Sequence, residues 1–226
     1  LSRAVVEHGC HLGISVDPDV DRLCFVSEDG SFFGEEYTLV AVADYVLSKT
    51  PGNTVSNMSS TRALSIVTEK YGCNYTASAV GEVNVVEAIR ANDAIIGGEG
   101  NGGIIYPTSH AGRDALVGVG LFLTYLVEQD ISCSELRKKY PEFVICKDKI
   151  ELPNSGVEEA LEQLVKNNPD ADINTVDGVK FDLEEGWVHL RKSNTEPIIR
   201  VYAEASNEEA ANALASRFKS ELLSLL

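Results

Sequence analysis

Three aspartates, Asp17, Asp19 and Asp21, alternate in the stretch Ser-Val-Asp-Pro-Asp-Val-Asp-Arg-Leu-Cys-Phe and are followed at once by Arg22. In extended backbone, side chains at i, i+2 and i+4 share a face, so the three carboxylates can converge on one point. Their mutual repulsion calls for a positive partner, and hard oxygen donors suit Mg2+ or Ca2+. An EF-hand does not fit: counting from Asp17, the sixth position is Arg22 instead of Gly, and the next residues read as a strand.

Two further stretches could do chemistry. Ile95 to Pro107, IIGGEGNGGIIYP, holds Glu99 and Asn101 in a glycine-rich loop between apolar strands. There a ligand can approach the backbone while a carboxylate accepts its hydroxyl hydrogens. His189 to Ala205, HLRKSNTEPIIRVYAEA, crowds Arg191, Ser193, Asn194, Thr195 and Arg200 around a turn between two strands. Guanidinium forks, hydroxyls and an amide so concentrated in an acidic chain point to an anion, phosphate foremost. The adjacent Ser109 and His110 are no nucleophile and base pair, because neighbours in sequence rarely reach that geometry and no triad pattern surrounds them.

These loops need strands and helices to hold them. Strands are expected at Leu12 to Val16 and Leu23 to Val26, with the aspartates between them. Glu35 to Lys49 reads as a helix, with Leu39, Ala43 and Val46/Leu47 on one face, acids at its start and Lys49 at its end. From Thr54 the pattern is strand, helix (Thr61 to Tyr71), strand, helix (Val83 to Ala91), strand, glycine-rich loop, then helices at Arg113 to Gln129 and Ser134 to Tyr140. Such alternation indicates an α/β layer domain. Beyond Pro141 the rhythm changes to a strand at Val144 to Leu152, a helix at Val157 to Val165, and strands at Gly178 to Leu183, Gly186 to Leu190 and Ile198 to Ala205. A terminal helix follows, with Ser206 and Glu209 as its expected capping box. This last part reads as a small α+β domain with an antiparallel sheet.

The 226 residues carry 35 acidic against 19 basic side chains, a net charge of −16 that disfavours nucleic acid and anionic membrane as partners. No apolar run is long enough to span a bilayer, and no signal-peptide pattern opens the chain. The five dispersed cysteines, an odd number without a CxxC pair, are the usage of a reducing cytoplasm. The first residue is not Met, so a longer parent polypeptide is expected.

The three motifs, in this order, resemble the α-D-phosphohexomutase superfamily along essentially the whole chain. The superfamily's metal loop, Asp-Gly-Asp-Gly-Asp-Arg, is met by DPDVDR with Pro18 and Val20 in place of both glycines. Its sugar loop, Gly-Glu-x-Ser-Gly-His, aligns with Gly98 to Gly103, with Asn101 for Ser and Gly103 for His. Its phosphate loop, Arg-x-Ser-Asn-Thr-x-Pro, is matched throughout by Arg191 to Pro197. The combination of DPDVDR, GGEGNGG and GRDALVG is similar to the phosphoglucosamine mutase and phosphoglucomutase/phosphomannomutase group.

The resemblance implies an α/β fold with the end of a second domain at residues 1–50 (metal loop). A three-layer third domain would follow at 51–141 (sugar loop), then a C-terminal phosphate-binding domain at 142–226. It implies a missing first domain that would carry a phosphoserine, and an inactive fragment. The intact enzyme would interconvert hexose 6-phosphate and hexose 1-phosphate through a bisphosphorylated sugar. Glucosamine phosphate is the expected substrate, and a phosphoglucomutase/phosphomannomutase or a noncatalytic sugar-phosphate-binding protein are the alternatives. By the same resemblance Asp17, Asp19 and Asp21 hold Mg2+, and Arg22 adds positive charge there. Glu99 and Asn101 read sugar hydroxyls, while Arg191, Ser193, Asn194, Thr195 and Arg200 grip the phosphate that is not transferred. With Gly103 at the usual His position, His110 is the substitute candidate for proton transfer.

Overall fold

The first residues to pair are those on either side of the aspartates. After a short helix α1 (Ser2–Glu7), strands β1 (Leu12–Val16) and β2 (Leu23–Ser27) form an antiparallel hairpin with Val16 opposite Leu23. All three aspartates therefore lie in its connection. Val20 sits there with φ of 59°, a left-handed conformation that costs a β-branched residue roughly 1–2 kcal/mol and that glycine adopts freely. The hairpin is anchored through Phe25, which stacks on Phe122 with ring centroids 3.9 Å apart while Phe33 meets both rings edge-on.

The computed structural model describes residues 1–151, 156–193 and 195–226, grouped in two units, Leu1–Pro141 and Glu142–Leu226. In the first unit, α2 (Glu35–Lys49) spans the expected residues but is buried on nearly every side, from Tyr37 through Asp44 without a break. A helix this apolar all round belongs inside the layers instead of on their surface. It packs against the sheet and against both α3 and α5 defined below, so Lys49/Thr50 separates no compact bodies.

Next come β3 (Asn53–Asn57), α3 (Ala63–Lys70), β4 (Tyr75–Ser78), α4 (Glu82–Ala91), β5 (Ala94–Glu99) and β6 (Gly103–Ile105). The sheet order is β4-β3-β5-β6, with β3 parallel to β4 and β5, and β6 antiparallel to β5. The chain steps outward through α3 and back across β3 through α4. Right-handed crossovers then put the two helices on opposite faces, giving three layers. Helices α5 (Ala115–Gln129) and α6 (Cys133–Arg137) complete the unit.

Helix α5 starts later than the expected Arg113, because Asp114 is its cap: Asp114 Oδ1 accepts from Val117 N at 3.0 Å. Helix α6 ends before the expected Tyr140 and carries a capping box from Ser132 and Glu135 that the sequence reading overlooked. Asp44 of α2 ties α5 to the turns that follow α3 and α6: it is 2% exposed and accepts hydroxyl hydrogens from Tyr71 (2.7 Å), Tyr125 (2.7 Å) and Tyr140 (3.0 Å).

The second unit is a sheet of β7 (Val144–Glu151), β8 (Asp172–Asn174), β9 (Val179–Asp182), β10 (Gly186–Lys192) and β11 (Ile198–Ala205), covered by α7 (Val157–Asn167) and α8 (Glu208–Leu225). Its order is β7-β11-β10-β9-β8 and every pair is antiparallel. Val188 and Leu190 on β10, Ile199, Val201 and Ala203 on β11, and Phe181 on β9 join Leu164 and Phe218 of the helices in one core. By strand alternation, Trp187, His189 and Arg191 lie on the opposite face. Burial pushes the His189 imidazole down to about 4, so it is neutral and donates Nε2–H to the Asp177 carbonyl at 2.6 Å.

Two expectations change here. The cap of α8 is Asn207, whose Oδ1 accepts from Ala210 N at 2.9 Å, and not the Ser206 and Glu209 box: the helix begins one residue later than that box requires. The edge strand β8 escaped the sequence reading because Asp172–Asn174 holds a single apolar residue. Leu152, the expected end of β7, lies outside the described residues.

Candidate functional site

The Asp17–Arg22 connection brings one carboxylate oxygen from each of Asp17, Asp19 and Asp21 within 4.8 Å of one another, the only such acidic, histidine or cysteine group among the described residues. Its shape is held from within: Asp17 Oδ1 accepts from Asp21 N (3.2 Å) and Arg22 N (3.1 Å), and Arg22 Nε lies 3.1 Å from Asp17 Oδ2. Asp17 is partly desolvated, which by itself raises its carboxyl, yet those backbone donors and Arg22 bring it below the usual range. Burial raises the Asp21 carboxyl against the opposing pull of Arg113. Asp21 Oδ1 is buried and has no hydrogen-bond partner among the described residues. A buried carboxylate oxygen that accepts no hydrogen bond, with Arg22 Nε at 3.5 Å and two other carboxylates beside it, is an environment that a hard divalent cation satisfies, so the residues fit Mg2+.

The glycine-rich loop lies directly behind this connection. Leu23 N donates to Gly102 O at 3.1 Å, and Gly102 has φ of 86°, with the Leu23 carbonyl 2.1 Å from where a Cβ would stand. Only glycine allows the two loops to approach so closely. Glu99, at the end of β5, is 4% exposed. Its Oε1 accepts from Asn57 Nδ2 (3.0 Å) and Gly81 N (3.2 Å); its Oε2 accepts from Arg113 Nη1 (2.8 Å) and, at a long 3.5 Å, from Asn101 Nδ2. Asn101 is exposed, and its Oδ1 accepts from Gly103 N at 3.1 Å. A hydroxyl donor reaching Glu99 would share Oε2 or take the place of the long Asn101 contact.

Arg113 is the residue that sequence reasoning missed. Its guanidinium pairs with Asp21 Oδ2 through Nη2, with Glu99 through Nη1, and approaches Glu82 Oε2 at 3.5 Å through Nε; its backbone N–H donates to Glu82 Oε1 at 2.8 Å. Reading Arg113 as the first residue of a helix hid it. The available signal was its charge: a cation is unfavourable at a helix N-terminus, whereas the following Asp114 is a natural cap. Glu82, one residue ahead of the expected helix start, was missed with it.

His110 and Ser109 lie on an exposed turn, where both backbone N–H groups donate to the Tyr106 carbonyl at 3.0 and 2.9 Å. The imidazole lies against Gly112, where an added Cβ would come within 2.7 Å of His110 Nε2.

In the second unit, Arg191 and Arg200 are directly opposite each other on β10 and β11. Like charges in register repel, and the arrangement suits an anion between them. Arg191 Nε is buried without a hydrogen-bond partner among the described residues. Arg200 Nη2 reaches Glu196 Oε2 (2.9 Å) and Ser193 Oγ (3.4 Å), while Thr195 N reaches Ser193 Oγ at 3.4 Å. Ser193 N closes the turn on Ile198 O at 2.9 Å. Asn194 lies outside the described residues.

Comparison with known proteins identifies the family. Residues 34–143 match the domain described as phosphoglucomutase/phosphomannomutase, alpha/beta/alpha domain III, and residues 146–221 match the C-terminal domain of the same family. A probable phosphoglucosamine mutase of Methanopyrus kandleri is 34% identical over 96% of this chain and 49% of its own length. A phosphoglucomutase/phosphomannomutase family protein of Burkholderia thailandensis shares the fold, with a TM-score of 0.82 at 23% identity over 99% of this chain and 48% of the other. So does the N-acetylphosphoglucosamine mutase of Aspergillus fumigatus in complex with GlcNAc-6P and magnesium, with a TM-score of 0.65 at 17% identity over 92% of this chain and 51% of that one. The chain spans about half the length of the curated relatives it matches. With two consecutive domains matched from residue 34 to residue 221, the chain belongs to the phosphoglucomutase/phosphomannomutase family.

Proposed function

We propose that this chain acts within a phosphohexomutase that interconverts hexose 6-phosphate and hexose 1-phosphate by way of a bisphosphorylated sugar, with glucosamine phosphate as the preferred substrate. The observation that carries the reading is the constellation in the first unit: a three-carboxylate cluster in which the buried Asp21 Oδ1 accepts no hydrogen bond, joined through one guanidinium to the buried carboxylate of the glycine-rich loop. Asp17, Asp19 and Asp21 would hold Mg2+, which when bound supplies positive charge to a phosphoryl group in transfer. Arg22 shields Asp17 and adds a second cation. Glu99 and Asn101 accept from and donate to sugar hydroxyls. Arg191 and Arg200, with Ser193, Thr195 and Asn194, grip the phosphate that stays in place, so that the sugar presents either end to the reacting group.

A phosphoglucomutase/phosphomannomutase specificity would use the same residues. A noncatalytic sugar-phosphate-binding protein is the second reading, and Gly103 favours it: the position offers no group for proton transfer, and His110 is the remaining candidate. All five cysteines are free thiols and no described helix is long and apolar enough to cross a membrane, observations that support a cytoplasmic location. We infer no nucleic-acid partner from the net charge of −16.

Titration with glucosamine 6-phosphate followed by NMR tests the phosphate loop. Amide signals of Lys192, Ser193, Thr195 and Glu196 should move, and Arg191→Lys should weaken binding about tenfold, because one ammonium cannot replace two parallel guanidinium bonds. Unchanged affinity in that variant would remove Arg191 from the site. We further infer that the 226 residues alone, about half the span of their relatives, do not turn over hexose phosphates. A coupled mutase assay should stay at background, and turnover that disappears with Asp19→Asn would refute this.

A further inference from the structure

We propose that Arg113 is a positioning residue that couples the cation site to the glycine-rich loop, so that cation binding is felt at Glu99 and occupation of the Glu99 loop is felt at the cation. The proposal rests on the reading of Asp17, Asp19 and Asp21 as a cation site.

The geometry is a divided fork. One terminal nitrogen of Arg113 holds Asp21 Oδ2, and the other holds Glu99 Oε2 at 2.8 Å. With Oδ2 occupied, the remaining Asp21 oxygen is Oδ1, a buried atom that accepts no hydrogen bond and has Arg22 Nε 3.5 Å away, and it is the one left for a cation. An outer partner that fixes which carboxylate oxygen faces the metal sets ligand orientation, and losing such a partner commonly weakens metal binding by about 10–100-fold. The same guanidinium has Glu82 at 3.5 Å, so one positive charge serves three carboxylates. A cation that draws charge from Asp21 changes what Arg113 can give Glu99 and Glu82, and by linkage the effect runs in both directions.

The backbone is arranged to keep this side chain in place. Asp114 ends its reach by capping α5, Arg113 itself forms an antiparallel bridge with Ile105, and its side chain is 15% exposed. Gly103 leaves the space: a Cβ there would stand 2.4 Å from Arg113 Cδ. Glycine at this position and the half-buried arginine are thus one structural choice.

Amide spectra of the 226-residue chain titrated with MgCl2 test the coupling. In the parent, Asp17 to Arg22 and Gly100 to Gly103 should shift with one common midpoint. In Arg113→Lys, the Asp17 to Arg22 signals should still move, at roughly 10–100-fold higher Mg2+, while Gly100 to Gly103 no longer follow, since an ammonium lacks the planar fork whose two terminal nitrogens span the carboxylates. Gly103→Ala keeps the arginine but crowds it, and should also uncouple the loops; it serves if the lysine variant does not fold. The Leu23 to Gly102 hydrogen bond remains in both variants, so continued movement of Gly100 to Gly103 would show that the signal travels there and would overturn the proposal. A parent in which only Asp17 to Arg22 respond would overturn the coupling and leave the cation site standing. A parent in which neither loop responds at millimolar Mg2+ would remove the cation site and the proposal with it.

Discussion

Asp44→Ala should destabilise the first unit by about 3–5 kcal/mol while leaving the second unit untouched. Tyr125 and Tyr140 have buried hydroxyls whose acceptor is Asp44 Oδ2, and stranding a buried donor costs about 1–3 kcal/mol. Tyr71 loses the carboxylate but keeps the Asp44 backbone carbonyl at 3.2 Å, and the Lys70 ammonium 3.6 Å from Asp44 Oδ1 adds little because it is largely exposed. The burial of these phenols and the neighbouring carboxylate push the Tyr71, Tyr125 and Tyr140 hydroxyls above their ordinary range, so all three remain donors at any ordinary pH. The single tryptophan, Trp187, belongs to the second unit and supplies an internal control. In urea, its fluorescence transition should be unchanged, while the far-ultraviolet signal gains an earlier transition from the first unit. Asp44→Asn, which keeps one acceptor and the volume, should fall between the two. Equal stability of Asp44→Ala and the parent would mean that water replaces the carboxylate and that the helices need no such hub.

That hub shows where sequence reasoning stops. Helix α2 could be read from its acids, its lysine and its apolar spacing, but Asp44 sits among apolar residues of that helix and its three partners follow 27, 81 and 96 residues later. Local pattern carries no information about such a meeting. Strands β1, β2, β5 and β11 were legible because alternation and turn residues are local, and the three functional loops were legible because each packs its chemistry into a few consecutive positions. Arg113 was hidden for the opposite reason. One residue in the cap position, Asp114, decides whether the arginine is the first turn of a helix or an extended residue bridged to Ile105, and both readings suit the same letters. β8 was lost because an edge strand of one apolar residue gives no period to read.

The placement of charge also explains why so acidic a chain needs its few arginines where they are. Arg22 and Arg113 both face carboxylates of the first unit, whereas Arg191 and Arg200 face each other across β10 and β11. The first pair neutralises carboxylates; in the second, Arg200 also reaches Glu196 at 2.9 Å, while Arg191 Nε, without a hydrogen-bond partner among the described residues, is a donor that an anion can use.

Asp19→Asn should abolish Mg2+ binding in the working range, weakening it by more than about 100-fold, because a small hard cation depends on the charge of its few carboxylates. Among the three aspartates Asp19 is the clean choice. Asp17 also accepts two backbone N–H bonds that shape the loop, and Asp21 is paired with Arg113, so changing either would alter the fold of the loop together with its charge. Asp19 is exposed, and its removal relieves repulsion. The variant without Mg2+ should therefore be at least as stable as the parent. With Mg2+ the order reverses: ligand present at 100 times its dissociation constant stabilises the parent by about 2.7 kcal/mol, and the variant gains almost nothing. Calorimetric titration and thermal melting with and without MgCl2 measure the two quantities independently. If both proteins gain the same stability from Mg2+, the cation is bound elsewhere, and Asp21 Oδ1 is left to Arg22 Nε, 3.5 Å away.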